Sequence, residues 1–434
     1  MNAHELTADL LDFIDASPSP WHVIASMEQR LQAFQFNRLD EKEPWSLNLG
    51  GRYYVVRDDS SIVIFIVGER DLCQSGFKIL GAHTDSPGLR LKPNPLINQD
   101  NWLRLAVEVY GGPILATFSD RDLSMAGRIA YRNIQGTISS KLLRFEQPLL
   151  RLPNLALHMN RSVNEDGLKL NKQTELPLLF KIASEQQLSD NQFETLLEQA
   201  SGIEGERISG WEFNVYDTQR GAFWGENQQF YSDSQLDNLA SCHAGLTAIL
   251  NESILNNGNT LVCAFFDHEE IGSESHKGAA GSFLPDVLER VALGLNLNKQ
   301  DYLRTLANSL LVSADMAHAY HPNFANAYEP SHKIQVNQGP VIKINANHRY
   351  ASNAISEARF GDFCQQAGVP YQKYAHRGDL PCGSTIGPIA SARLGIATVD
   401  VGNPMWAMHS IRESAGVLDH HYMVQALHRF FSSP

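Results

Sequence analysis

Cysteine is scarce in this chain of 434 residues: the five present, Cys73, Cys242, Cys263, Cys364 and Cys382, are odd in number and scattered. That argues against a secreted disulfide framework and against a zinc ribbon, and a reducing cytoplasm is the simplest setting. No apolar run is long enough to span a bilayer. The segment from Met1 through Asp15 is patterned as an acidic amphipathic helix without the basic n-region and apolar core of a signal peptide. Positive charge is in deficit too. A formal net charge of -13 disfavours a general nucleic-acid binder, which must neutralise phosphates with clustered lysine and arginine. Short repeats, heptad arrays and low-complexity tracts are also missing. What remains, 43% hydrophobic and 19% charged residues, is the composition of a soluble globular protein, long enough for two domains with separate cores.

The pattern along the chain predicts α/β architecture. The opening helix stops at Ser17-Pro18-Ser19-Pro20, because proline lacks the amide donor and turns its predecessor away from helix; a second helix starts near Trp21. Residues 53–56 and 61–67 read as a hairpin and 77–80 as a buried strand. Between about 94 and 231 the character becomes mainly β, with short strands expected at 107–110, 128–131 and 155–158. From 232 onward helix and strand alternate again: helices at 236–250, 283–293, 351–367 and 384–394, and apolar strands at 261–266, 310–314, 341–345 and 396–401. Helices between apolar strands imply a mainly parallel central sheet covered on both faces. The expectation is a discontinuous catalytic domain, 1–93 and 232–434, carrying an inserted β-rich domain, 94–231.

Chemistry-bearing residues cluster where those strands end. His83 closes the first buried strand in Gly81-Ala82-His83-Thr84-Asp85-Ser86-Pro87-Gly88, at the carboxyl edge where open α/β sheets place their ligands. Asp85 can hydrogen-bond the imidazole and fix its tautomer; a plain turn with a satisfied histidine is the alternative. In Ser234-Gln235-Leu236-Asp237-Asn238, Ser234 reads as an N-cap, and Asp237 suits either the helix dipole or a metal. Asp267-His268-Glu269-Glu270 crowds three carboxylates after a buried strand. Such crowding raises proton affinities unless a cation neutralises it. Of the adjacent Glu269 and Glu270, one can bind a metal while its neighbour acts as general base; a solvated acidic loop is the alternative. Asp315 follows another apolar strand, His318 stands outside the ligand set, and His409 follows the last strand. Together His83, Asp237, Glu270, Asp315 and His409 suit a dinuclear site in which one carboxylate bridges. Nitrogen and oxygen donors without thiolate fit zinc, manganese or cobalt.

These segments, in this order, closely resemble the M18 family of metallo-aminopeptidases, the aspartyl aminopeptidase group. The likeness runs from Ser17-Pro18-Ser19-Pro20-Trp21-His22 through Asp120-Arg121-Asp122-Leu123-Ser124-Met125-Ala126-Gly127-Arg128, Leu236-Asp237-Asn238-Leu239 and Glu269-Glu270-Ile271-Gly272-Ser273. It continues in Gly339-Pro340-Val341-Ile342-Lys343, Pro381-Cys382-Gly383-Ser384-Thr385 and Met408-His409-Ser410-Ile411-Arg412-Glu413. The resemblance implies two divalent ions, zinc first, with manganese or cobalt as alternatives. It implies that His83, Asp237 and Asp315 hold one ion and Asp237, Glu270 and His409 the other, with Asp237 as the bridge. Asp85 would orient His83, and Glu269 would accept the proton of the metal-bridging water and deliver it to the departing amine. Lys343 and Tyr350 would contact substrate, Tyr350 in an oxyanion role, and His158 would reach into a partner subunit's site. The inserted domain would form dimers that assemble into a tetrahedral dodecamer. One departure is His268, where many relatives carry asparagine.

The function this implies is a cytoplasmic aminopeptidase acting on short peptides with amino-terminal Asp or Glu, with no nucleic-acid or membrane partner. Neutral amino-terminal residues, an N-acyl amino acid or a carboxyl-terminal bond as substrate, or a non-enzymatic assembly protein with a structural metal, are the competing readings.

Overall fold

The computed structural model describes residues 1–183, 192–203, 207–254 and 258–433. Its centre is a nine-stranded, mainly parallel sheet. The middle is formed by Thr260–Phe266, Phe77–His83, Leu310–Ala314 and Ala397–Gly402, adjacent in that order and mutually parallel. The antiparallel hairpin Arg52–Arg57 and Ser61–Ile66 extends one side. Strand alternation divides side chains between the faces. Ile62, Ile64, Leu80 and Ala82 enter one buried cluster, whereas Val63, Phe65, Phe77 and Ile79 enter the other.

The first face is covered by Ala3–Asp15, Leu236–Ile249, Ala354–Ala367 and Val417–Ser432, the second by Phe283–Gly294, Lys299–Asn308 and Ile386–Leu394. Local sequence explains the helix starts. Asn2 and Glu5 form a reciprocal capping box before the first helix, Pro20 occupies the first turn of the second, and Asn353 and Ser356 close another box. Among the described residues no helix is long and apolar enough to cross a membrane.

A six-stranded antiparallel sheet spans 88–217, in the order Ile138–Arg144, Leu123–Arg132, Arg207–Asp217, Gly88–Gln99, Trp102–Tyr110 and Leu178–Ile182. It has its own core around Leu105, Met125, Ile129 and Phe213, onto which Phe193 and Leu197 of the helix Gln192–Ser201 pack. One expectation is corrected. Residues 155–158 form no strand: Pro153 removes a ladder donor, and the segment ends in the 3-10 turn Leu157–Met159 with its side chains exposed. A separate five-stranded sheet, unforeseen in the sequence pattern, joins Ala222–Trp224, Phe230–Asp233, Glu413–Gly416, Pro404–Trp406 and Ala317–His318. It ties residues near 230 to the carboxyl-terminal segment, beside the carboxyl edge of the central sheet.

Candidate metal centre

The four parallel strands deliver their chemistry to one place. His83 is the last residue of its strand, Asp315 follows Leu310–Ala314, and Glu269 and Glu270 form a 3-10 turn just after Thr260–Phe266. Gly402 allows the close approach of the last strand, since a Cβ there would lie 1.8 Å from the Asp315 carbonyl oxygen. His268, before the turn, adopts φ 68°, a left-handed conformation uncommon for residues other than glycine, in which histidine is enriched along with asparagine and aspartate. The Ser234 cap is not observed. The helix begins after Gln235 at φ 57°, and Asp237 and Asn238 lack helical dihedrals, so the Asp237 carboxylate turns toward the imidazoles instead of into the helix.

Asp237 lies between the two histidines, with Oδ1 3.4 Å from His83 Nε2 and Oδ2 3.4 Å from His409 Nε2. His83 Nε2 is also 3.6 Å from Asp315 Oδ1, and His409 Nε2 is 3.4 Å from Glu270 Oε1. Ligands about 2.1 Å from a tetrahedral zinc stand roughly 3.4 Å apart, so these edges suit a shared ion on each side of Asp237. Ligand atoms of His83, Asp237 and Glu270, and of His83, Glu269 and Asp315, fall within 4.8 Å of one another. Among the described residues the buried Asp237 Oδ1 has no hydrogen-bond partner. An orphaned buried carboxylate oxygen among further carboxylates fits cation binding.

The electrostatics agree. Burial disfavours a charged His83, yet the adjacent carboxylates of Asp237, Asp315 and Asp85 outweigh it and raise the imidazole's proton affinity well above normal. Burial pushes Glu269 up to about 8, and the neighbouring Asp315, Asp85 and Asp237 push the same way, against the opposing pull of His83.

Asp85 is fully buried, and its carboxylate accepts from the amides of Glu269 and Glu270 at 3.1 Å each and from the Tyr110 hydroxyl at 2.6 Å. His83 Nδ1 is 3.0 Å from the Asp85 main-chain oxygen and 3.5 Å from its carboxylate. Asp85 therefore meets the imidazole mainly through its backbone and uses its side chain to fix the glutamate turn. Lys343 is buried, donates to the Met316 carbonyl at 3.1 Å and lies 3.8 Å from Asp315; Tyr350 is buried with its ring 5.2 Å from the Lys343 amine. His318 also belongs to this neighbourhood, since burial pushes it down to about 4 and Lys343 adds to the shift. His158 is exposed in its 3-10 turn and has no hydrogen bond or ion pair with the site among the described residues. Sequence reasoning gave no role to Tyr110 or Glu413. Their partners lie on remote segments.

A profile of the family described as Aminopeptidase I zinc metalloprotease (M18) matches residues 13–431. The chain belongs to the M18 family of metallo-aminopeptidases. A probable M18 family aminopeptidase 2 of Ectopseudomonas mendocina is 45% identical over 434 residues, covering 99% of each chain. Among solved structures, a cryo-EM structure of the Ape4 and Nbr1 complex aligns with a TM-score of 0.94 at 37% identity, over 99% of this chain and 86% of that one. The mApe1 dodecamer of S. cerevisiae aligns with a TM-score of 0.86 at 25% identity, over 100% and 98%. As an M18 enzyme the protein is a metal-dependent aminopeptidase, and its metal-ligand candidates sit where the α/β sheet gathers them.

Proposed function

We propose that this M18 enzyme removes single amino-terminal residues, Asp or Glu by preference, from short peptides, using two divalent ions, zinc in the first place. The observation that carries the dinuclear reading is Asp237, whose two carboxylate oxygens each face a different imidazole at 3.4 Å. His83 and Asp315 complete one ligand set with it, and Glu270 and His409 the other. When bound, the ions supply Lewis acidity and lower the pKa of water.

The chain's own residues do the rest. Glu269, with its raised proton affinity, takes a proton from the attacking water and passes it to the leaving amine. Lys343 and Tyr350 bind the substrate, Tyr350 donating to the carbonyl oxygen as charge develops. Lys343 is the cation that favours an acidic side chain, with His318 beside it.

Assembly completes the reading. The inserted segment 94–231 exposes Leu155, Leu157 and Met159 around His158, a surface suited to burial against a second copy. In the proposed dimer His158 enters the partner's site, and dimers build a tetrahedral dodecamer, consistent with the dodecameric mApe1 relative. Five free cysteines, four of them buried, agree with a cytoplasmic location.

The test is release of the first residue from matched peptides starting with Asp, Glu or Leu, with free or acetylated amines, with zinc and with chelator. Chelator-sensitive release of Asp and Glu from free-amine peptides supports the proposal. Preference for Leu overturns the specificity, and cleavage of the acetylated peptides overturns the aminopeptidase mode.

A further inference from the structure

Glu413 opens a strand of the five-stranded sheet, where it pairs with Asp233. It is 2% exposed. Its Oε2 accepts from the Asp237 amide at 3.0 Å and its Oε1 from the His409 amide at 2.6 Å. One carboxylate therefore joins two backbone segments 172 residues apart, each bearing a residue of the candidate centre. Both oxygens act as acceptors. A protonated carboxyl, or an amide in its place, offers only one good acceptor to these two donors.

The segments it joins need such a hold. Gln235, Ala407 and His409 all have left-handed φ, at 57°, 56° and 67°, a conformation that non-glycine residues keep only where their surroundings over-determine it. Further bonds act on the same segments: Ser86 Oγ donates to the Asp237 carbonyl at 2.6 Å, and His409 Nδ1 is 3.1 Å from the Gly112 carbonyl. The arrangement repeats that of Asp85, which holds the amides of Glu269 and Glu270 from the other side.

We propose that Glu413 is a positioning residue, a carboxylate clamp that sets the spacing of Asp237 and His409 and so tunes the ion those two share with Glu270. The inference rests on the ligand assignment proposed above. It concerns a residue that touches neither ion nor substrate, and partners of this kind change metal affinity by roughly 10- to 100-fold.

Zinc affinity is measured by chelator competition, and the cobalt-loaded absorption spectrum recorded, for the wild type, Glu413→Gln and the shorter Glu413→Asp, with urea unfolding of each metal-free protein alongside. The expected result is two ions in all three proteins, one of them held 10- to 100-fold more weakly in the variants with an altered cobalt spectrum, whatever metal-free stability the lost hydrogen bonds cost. Unchanged affinities and spectrum, or a loss of metal-free stability alone, overturn the clamp. Should Gln not fold, the Asp variant decides by the same readouts. A wild type that binds fewer than two ions refutes the ligand assignment instead.

Discussion

Replacing Glu269 with glutamine keeps the side chain's shape and removes only its ability to take up a proton. The main-chain amide still donates to Asp85 at 3.1 Å, so the turn that carries Glu270 stays in place. Burial raises the proton affinity of Glu269, the direction that suits a general base. Removing such a base costs ~10²–10⁴-fold in kcat, equivalent to about 2.7–5.4 kcal/mol at 1.36 kcal/mol per decade. The assay is steady-state release of Asp from a short peptide at saturating zinc, with metal content measured on the same preparation. The expected outcome is that loss in kcat with KM and metal content little changed. A loss under tenfold would falsify the base assignment. Loss of an ion together with activity would refute the division of labour, making Glu269 the ligand, as its grouping with His83 and Asp315 permits.

Tyr110→Phe removes a buried donor to the Asp85 carboxylate and should lower the unfolding free energy of the metal-free protein by about 1.5–3 kcal/mol, read by urea denaturation. His158→Ala should assemble normally by light scattering yet lose most activity. Reassembly with an equal amount of Glu269→Gln subunits should restore about a quarter of the wild-type sites, because each mixed dimer regains one complete site; no recovery contradicts sharing between subunits. Acid should destabilise the fold through His22, which burial pushes down to about 4 from 6.5. The unfolded chain binds that proton more tightly, so this contribution is complete above pH 6.5 and is lost as pH falls to 4, by up to about 3 kcal/mol. A His22→Gln variant should show a smaller fall in stability between pH 7 and 4, and an unchanged slope argues against it.

Much of this was legible in the sequence because strands announce their own ends. The apolar runs before His83, Glu269 and Asp315 place those side chains at the carboxyl edge, and parallel pairing then brings them together. The hidden features depend on contacts between distant segments. Ser234 precedes a helix as a cap should, yet Asp237 faces two imidazoles and the helix starts without a side-chain cap. Residues 155–158 alternate like a strand but have no partner strand among the described residues, and Leu155 and Leu157 are exposed instead. Tyr110 and Glu413 stand in unremarkable local patterns, and only the tertiary fold shows that each meets a backbone or carboxylate from another segment. His318 follows Asp315 by three residues, and its nearness to Lys343 depends on how Val341–Ile344 packs.

Zinc titrated into the metal-stripped protein, while release of amino-terminal Asp is followed, tests the dinuclear centre most directly. The account predicts no release without metal and activity that reaches its maximum as the second equivalent per chain is bound. Full turnover in chelated protein, or a maximum at one equivalent, would contradict it.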